Sequence, residues 1–249
     1  MTEVRGADVR GALARASAVG AYFESGDATG PQWRPLRELV DGGLAARVAF
    51  ARDFLSQRTG ADVEPRACAS INSLGVMSRL VAPALATACR DGVVPVLDID
   101  AVAWLPQDGG PLPVAFGPSS GRRVRTAAEA AAALVEHVVE PVVRPVLEAY
   151  RRDFVLSPLT LWGNLASALN GAAGMITGAT IDPFAVVAEL LARAPLDGAG
   201  RYEPFAGRRF FVRNNCCLFY RVPAGGRCND CVLVPEAARH DLWRTAVGQ

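Results

Sequence analysis

Lysine is missing from this chain: all 26 basic residues are arginine. With so much alanine and valine beside them, this is the composition of a GC-rich genome rather than a demand for guanidinium groups. Histidine is nearly missing as well. There are two, His137 and His240, and H-E-x-x-H does not occur. Thermolysin-type zinc chemistry therefore has no candidate residues. No run approaches ~18 uninterrupted apolar residues, so no membrane span is expected. The opening "MTEVRGADVRGALARASAVG" carries charges throughout and has no apolar core of a targeting signal. The expected compartment is the cytoplasm, where thiols stay reduced and disulfides are rare. A net charge of +1 supplies no broad electrostatic footprint for a polyanion.

What is present is apolar. At 249 residues, 51% hydrophobic and 20% charged, the chain can bury a core without covalent staples. Cysteine is sparse, with six residues, yet four fall within sixteen positions: Cys216, Cys217, Cys228 and Cys231, spaced C-C-x10-C-x2-C. Cys68 and Cys89 lie in apolar helical patterns and read as ordinary buried thiols. Four clustered thiolates point to zinc or to an iron–sulfur centre. The C-x2-C half is a turn that aims two sulfurs at one metal, with "GGRCNDC" supplying a glycine-rich entry. The adjacent pair departs from structural zinc spacing, because neighbouring side chains on an extended segment point to opposite faces unless the backbone bends. A two-iron cluster offers more widely separated positions, which favours iron–sulfur without excluding zinc.

The remaining pattern is mainly helical. Residues 5–57 read as helix broken at "SGDATGPQW", with Leu36, Leu39, Val40, Leu44, Val48 and Phe54 near helical spacing. A helix over Asn72–Arg90 is expected to be interrupted or bent at Pro83. "VVPVLDIDAVAWLPQDGGPLPVAFG" predicts a hairpin turning at Asp108-Gly109. Thr126 to Glu129 forms a capping box before a helix that Pro141 and Pro145 bend or restart. Ser157-Pro158 and Asp182-Pro183 each open a further helix. Strand composition flanks the cysteine pair on both sides. The expected fold is α+β: mainly helical, with a small mid-chain β-hairpin or sheet and a short β element carrying the cysteines. A division near residue 125 is expected, giving an N-terminal helical region with a small sheet (1–125) and a helical region ending in the metal-binding segment (126–249, with 201–249 carrying the cysteines).

The spacing C-C-x10-C-x2-C, preceded by Arg213 and followed by "LFYR", resembles the FhuF-like ferric siderophore reductases. "LWGNLASAL" (161–169) and "SRLVAPALATACRDGVVPVLD" (78–98) are similar to two further segments of that family. The resemblance covers most of the chain from about residue 70; the first 60 residues match nothing in it. It implies a [2Fe–2S] cluster on Cys216, Cys217, Cys228 and Cys231, and one-electron reduction of Fe(III) held in a siderophore. Reduction enlarges the ion and lowers its charge, so hard anionic oxygen donors lose their grip and no siderophore bond is cut. The implied partners are a ferric siderophore and an electron donor: a ferredoxin, a flavoprotein or a NAD(P)H-linked reductase. No nucleic acid and no membrane span are expected; peripheral attachment to the inner membrane stays open.

Residues 201–249 carry eight arginines against four acids, a local +4, and residues 1–200 a local −3. Arg213, Arg221 and Arg227 lie within four residues of a cysteine and are the candidate contacts for an anionic chelate or an acidic donor. Asn215 and Asn229 are candidate hydrogen-bond donors to sulfur, or turn residues. In "LWGN", the resemblance places Trp162 and Asn164 by the cluster or substrate; the competing reading makes Trp162 core, Gly163 a helix-packing residue and Asn164 a backbone-satisfying one. His137 reads as a partly exposed helix residue and His240 as no ligand. The rival function is a zinc-stabilised module binding nucleic acid or protein through its arginine-rich C-terminus. A third keeps the cluster but assigns siderophore assembly or redox sensing.

Overall fold

In the computed structural model, which describes residues 2–107 and 110–248, helices alternate with three small antiparallel sheets. Strand β1 (Glu3–Arg5) leads into helix α1 (Gly6–Ser17). An irregular stretch reaches β2 (Arg34–Pro35), as the glycine-rich break predicts. A one-turn helix α2 (Leu36–Glu38) and a π turn (Leu39–Gly43) then run into α3 (Leu44–Thr59). Leu36, Leu39, Val40, Leu44 and Val48 are buried on one stripe, but Phe54 is 52% exposed, so the expected stripe stops short of it.

The central element is α4 (Pro65–Asp91). It starts earlier than its apolar spacing suggested and runs unbroken through Pro83. Its length and hydropathy would allow a membrane crossing, yet 72% of the apolar window is buried inside the fold. Beyond it, β3 (Val93–Val96) pairs with β6 (Ser120–Arg123), which also pairs with β1 in the order β1-β6-β3. β4 (Val102–Trp104) and β5 (Val114–Phe116) pair antiparallel, as the hairpin pattern predicts; its Asp108-Gly109 turn lies outside the described residues.

The capping box is formed. The Glu129 amide donates to Thr126 Oγ1 at 3.1 Å, and Glu129 Oε2 accepts from the Arg125 amide at 2.8 Å, opening α5 (Ala127–Leu134). A π segment, Val135–Val143, absorbs Pro141, and α6 (Arg144–Phe154) restarts at Pro145. His137 in the π segment is buried, at 8% exposure, because its carbonyl sits against β3 and accepts from the Leu97 amide. The expectation of a partly exposed histidine is therefore corrected. Ser157 caps α7 (Pro158–Met175) and Asp182 caps α8 (Pro183–Leu191) through their side-chain oxygens.

α4 and α7 pack along each other and form the body on which the C-terminal segment rests. That segment comprises the hairpin β7 (Gly200–Phe205) and β8 (Arg208–Arg213), a loop holding all four clustered cysteines, and α9 (Glu236–Ala246). Trp243 of α9 stacks on Phe210 of β8, with ring centroids 4.7 Å apart, and fastens the last helix to the hairpin.

Candidate iron–sulfur centre

The strand pattern holds on one side of the cysteine pair only. β8 ends at Arg213, and the residues after the pair form a single 3-10 turn, Phe219–Arg221, instead of a strand. The reason is local: Leu218 takes a left-handed backbone (φ 66°) directly after Cys217. That is the bend two adjacent cysteines need to serve one centre. Gly225 is required on the return path, since a Cβ there would sit 2.8 Å from the Phe219 carbonyl oxygen. A tight turn closes the second half, with the Cys231 amide donating to the Cys228 carbonyl at 3.1 Å.

These bends collect the thiols. Cys217 and Cys228 bring their Sγ atoms to 3.5 Å. This is far beyond a disulfide bond and close to the ~3.8 Å edge of a tetrahedron with metal–sulfur bonds of about 2.3 Å. The Leu218 amide donates to Cys216 Sγ at 3.3 Å and the Leu233 amide to Cys231 Sγ at 3.4 Å. Amide donors aimed at sulfur stabilise thiolates and tune a cluster's potential. These two donors are backbone groups, whereas the sequence suggested the side chains of Asn215 and Asn229. Contact with the Cys228 thiol pulls the Cys217 thiol down, helped by the Phe219 amide and Arg213. Its partner Cys228 is correspondingly pushed up, and burial also pushes up Cys216. Among the described residues no three His, Cys, Asp or Glu side chains converge as ligands of a single ion. Cys217 and Cys231 are buried at 5% and 2%, while Cys216 and Cys228 remain partly exposed.

Beneath the loop lies a buried polar network. Arg213, 1% exposed, donates through Nη2 to Asn164 Oδ1 at 2.6 Å, and its Nε lies 3.7 Å from Asp230 Oδ2. Asn164 on α7 donates to the Ser70 carbonyl at 2.9 Å and to Ser73 Oγ at 2.8 Å on α4. The Ser70 hydroxyl in turn donates to the Cys217 carbonyl at 2.7 Å. Ser167 Oγ holds Asp230, between the last two cysteines, at 2.6 Å. Arg213 Nε is buried without a hydrogen bond, but the other links hold the loop to both core helices at both cysteine pairs.

Arg213 and Asn164 therefore face inward and present no surface to a substrate, which corrects their placing as substrate contacts. Trp162 points the other way, under the Arg144 guanidinium at 5.1 Å from its ring centre, and is not part of the centre. Arg221 is exposed and paired with Glu64 at 2.7 Å. Arg227 is exposed beside Cys228. Ser70, Ser73, Ser167 and Asp230 were not singled out from sequence. The legible sign was two hydroxyls three apart on the buried face of an apolar helix.

The geometry thus defines an α+β protein with a surface-edge thiolate centre of the iron–sulfur type. Residues 213–233 match the family model of the FhuF 2Fe-2S C-terminal domain. The chain is FhuF-like in this segment, and the cofactor of that domain is a [2Fe–2S] cluster. No curated protein matches the chain.

Proposed function

We propose that this protein is a ferric siderophore reductase whose [2Fe–2S] cluster is held by Cys216, Cys217, Cys228 and Cys231. The observation that carries the reading is the asymmetry of the loop: two cysteines face the core and two, Cys216 and Cys228, face outward. A [2Fe–2S] centre, when bound, supplies one electron at a time. An acceptor too large to enter the fold can approach the outward side. Beside it lies a cleft of about 570 Å³ lined by Asn229, Asp230, Phe210 and Trp243.

The chain's own residues then do three things. The Arg213–Asn164–Ser70 network keeps the loop rigid, which keeps reorganisation small during electron transfer. The buried guanidinium offsets negative charge on four thiolates. Amides of Leu218 and Leu233 hold sulfur lone pairs in place. The electron comes from an external donor, a ferredoxin, a flavoprotein or a NAD(P)H-linked reductase, and ends on the Fe(III) of the chelate. No proton-transfer residue is needed.

The test starts with protein purified without air. A red-brown protein that bleaches with dithionite, gains one spin-half signal and then passes about one electron per cluster to a ferric chelate, with Fe(II) trapped as a coloured complex, supports the reading. A colourless protein with one zinc per chain sinks it and favours the zinc-stabilised binding module. Single Cys→Ser changes at 216, 217, 228 and 231 are each expected to lose or perturb the spectrum. Wild-type iron content and spectrum in any two of them would remove the four-ligand assignment.

A further inference from the structure

Half-buried arginines in this protein are satisfied almost everywhere. Arg79 in α4 donates to the carbonyls of Leu112 (2.7 Å), Ala21 (2.5 Å) and Glu24 (2.7 Å), stapling the N-terminal stretch to the core. Arg213 has Asn164, and Arg239 has the Val234 carbonyl and Glu203, although the Nε of each is buried without a partner. Like the half-buried Arg122 of β6, Arg47 on α3 has no such bond with any described residue. Its buried Nε has no hydrogen-bond partner, and its guanidinium makes no hydrogen bond or ion pair with any described residue. Burial pushes its pKa down, and the one group that counters this is Tyr150, a phenol whose hydroxyl already donates to Asn72. A buried N–H left without an acceptor costs stability unless something pairs with it.

Arg47 borders two adjoining cavities and is, among the described residues, the one charged side chain lining either of them. The larger, about 400 Å³, has walls of Tyr22, Phe50, Phe54, Leu55 and Ile71. The smaller, about 130 Å³, shares Arg47 and Phe50 and adds Trp104, whose buried Nε1 also lacks an acceptor. Tyr22, Phe50 and Phe54 are large rings left substantially in water at the cavity mouth. Two orphaned donors, one of them cationic, therefore lie beside an apolar aromatic hollow of ligand size.

We propose that this double cavity is a binding site for a small aromatic carboxylate, its ring between Phe50, Phe54 and Tyr22 and its carboxylate on the Arg47 guanidinium. A planar carboxylate matches the guanidinium fork with two parallel hydrogen bonds, and an aromatic body covers the exposed rings. A small inorganic anion leaves those rings wet, and a neutral aromatic leaves the cation unpaired. The site is distinct from the iron–sulfur centre. It uses Ile71, Asn72, Gly75 and Val76 of α4, which helical spacing puts on the opposite side from Ser70 and Ser73. Nothing in it depends on the cluster carrying electrons, so it can stand if the reductase reading fails.

The experiment is calorimetric titration of the full, cluster-containing protein with benzoate, with benzyl alcohol and acetate as controls. Saturable 1:1 benzoate binding is expected, at least about tenfold tighter than either control. Arg47→Met should lose about tenfold or more of the benzoate affinity while leaving benzyl alcohol unchanged, and should melt no lower than wild type without ligand, since it removes an unpaired charge. Phe54→Ala, at the exposed mouth, is a second variant that leaves the core intact and should weaken benzoate severalfold. No saturable benzoate binding up to about 10 mM would overturn the proposal. So would benzoate affinity unchanged in both variants.

Discussion

Asn164 is the residue on which the centre turns. Its carbonyl oxygen takes the buried Arg213, its amide holds Ser70 and Ser73, and Ser70 holds the Cys217 carbonyl. Asn164→Ala strands a buried guanidinium and frees two hydroxyls, so a loss of about 2–4 kcal/mol of stability is expected. The cluster's EPR signal should broaden or shift in what remains folded. An unchanged melting temperature with an unchanged signal would show that the network is not what fixes the loop. The neighbouring Gly163 is the contrasting case. A Cβ there would meet Arg213 Nη2 and the Asn215 oxygen at 3.6 Å, an ordinary contact. Gly163→Ala should therefore keep the spectrum and raise stability by about 0.5–1 kcal/mol through helix propensity. A perturbed spectrum would mean that Gly163 is needed for close approach of the loop.

At the scale of elements, the contrast is between a dense pair of helices and a loop with little structure of its own. Between Arg213 and α9 the only regular piece is one 3-10 turn. Removing iron with a chelator should raise hydrogen exchange sharply over residues 214–235. Amides in α4 and α7 should keep their protection, because their packing owes nothing to the metal. α9 should also persist, tied to β8 through Phe210 and Trp243. Uniform loss of protection in α4 would show that the metal holds the whole fold. The π segment at Val135–Val143 belongs to this scale too: Pro141 breaks the helical ladder, and the extra residue in the turn is how the chain continues without a kinked exit.

Over the whole molecule, the positive bias of the last 49 residues is smaller in effect than its count suggests. Arg201, Arg213, Arg221, Arg239 and Arg244 each face an acid, leaving Arg208, Arg209 and Arg227 as exposed charges of this segment. Electrostatic selection of an anionic chelate must then rest on residues such as Arg227, and not on Arg213. Arg227→Glu is expected to slow reduction of an anionic ferric chelate severalfold at low salt, to leave a neutral chelate unaffected, and to lose its effect near 1 M salt, where screening reaches about 3 Å. Equal slowing of both chelates would remove the steering role. By contrast, breaking the exposed Arg221–Glu64 pair should change stability by no more than about 1 kcal/mol.

Much of this was legible in the chain alone. Cysteine spacing marked the centre, because metal ligands must be supplied in number and close in sequence when a loop carries them. The capping box at Thr126, the proline-opened helices at Pro158 and Pro183 and the β4–β5 pairing followed from local chemistry, which acts over a few residues. Tertiary structure decided the rest. Whether an arginine points at solvent or at Asn164 depends on which helices meet beneath it, and no local pattern records that. The inward face of Asn164, the burial of His137 and the unpaired Arg47 all depend on contacts between residues dozens of positions apart. Such contacts are set by how α4 and α7 pack, not by the residues on either side of each one.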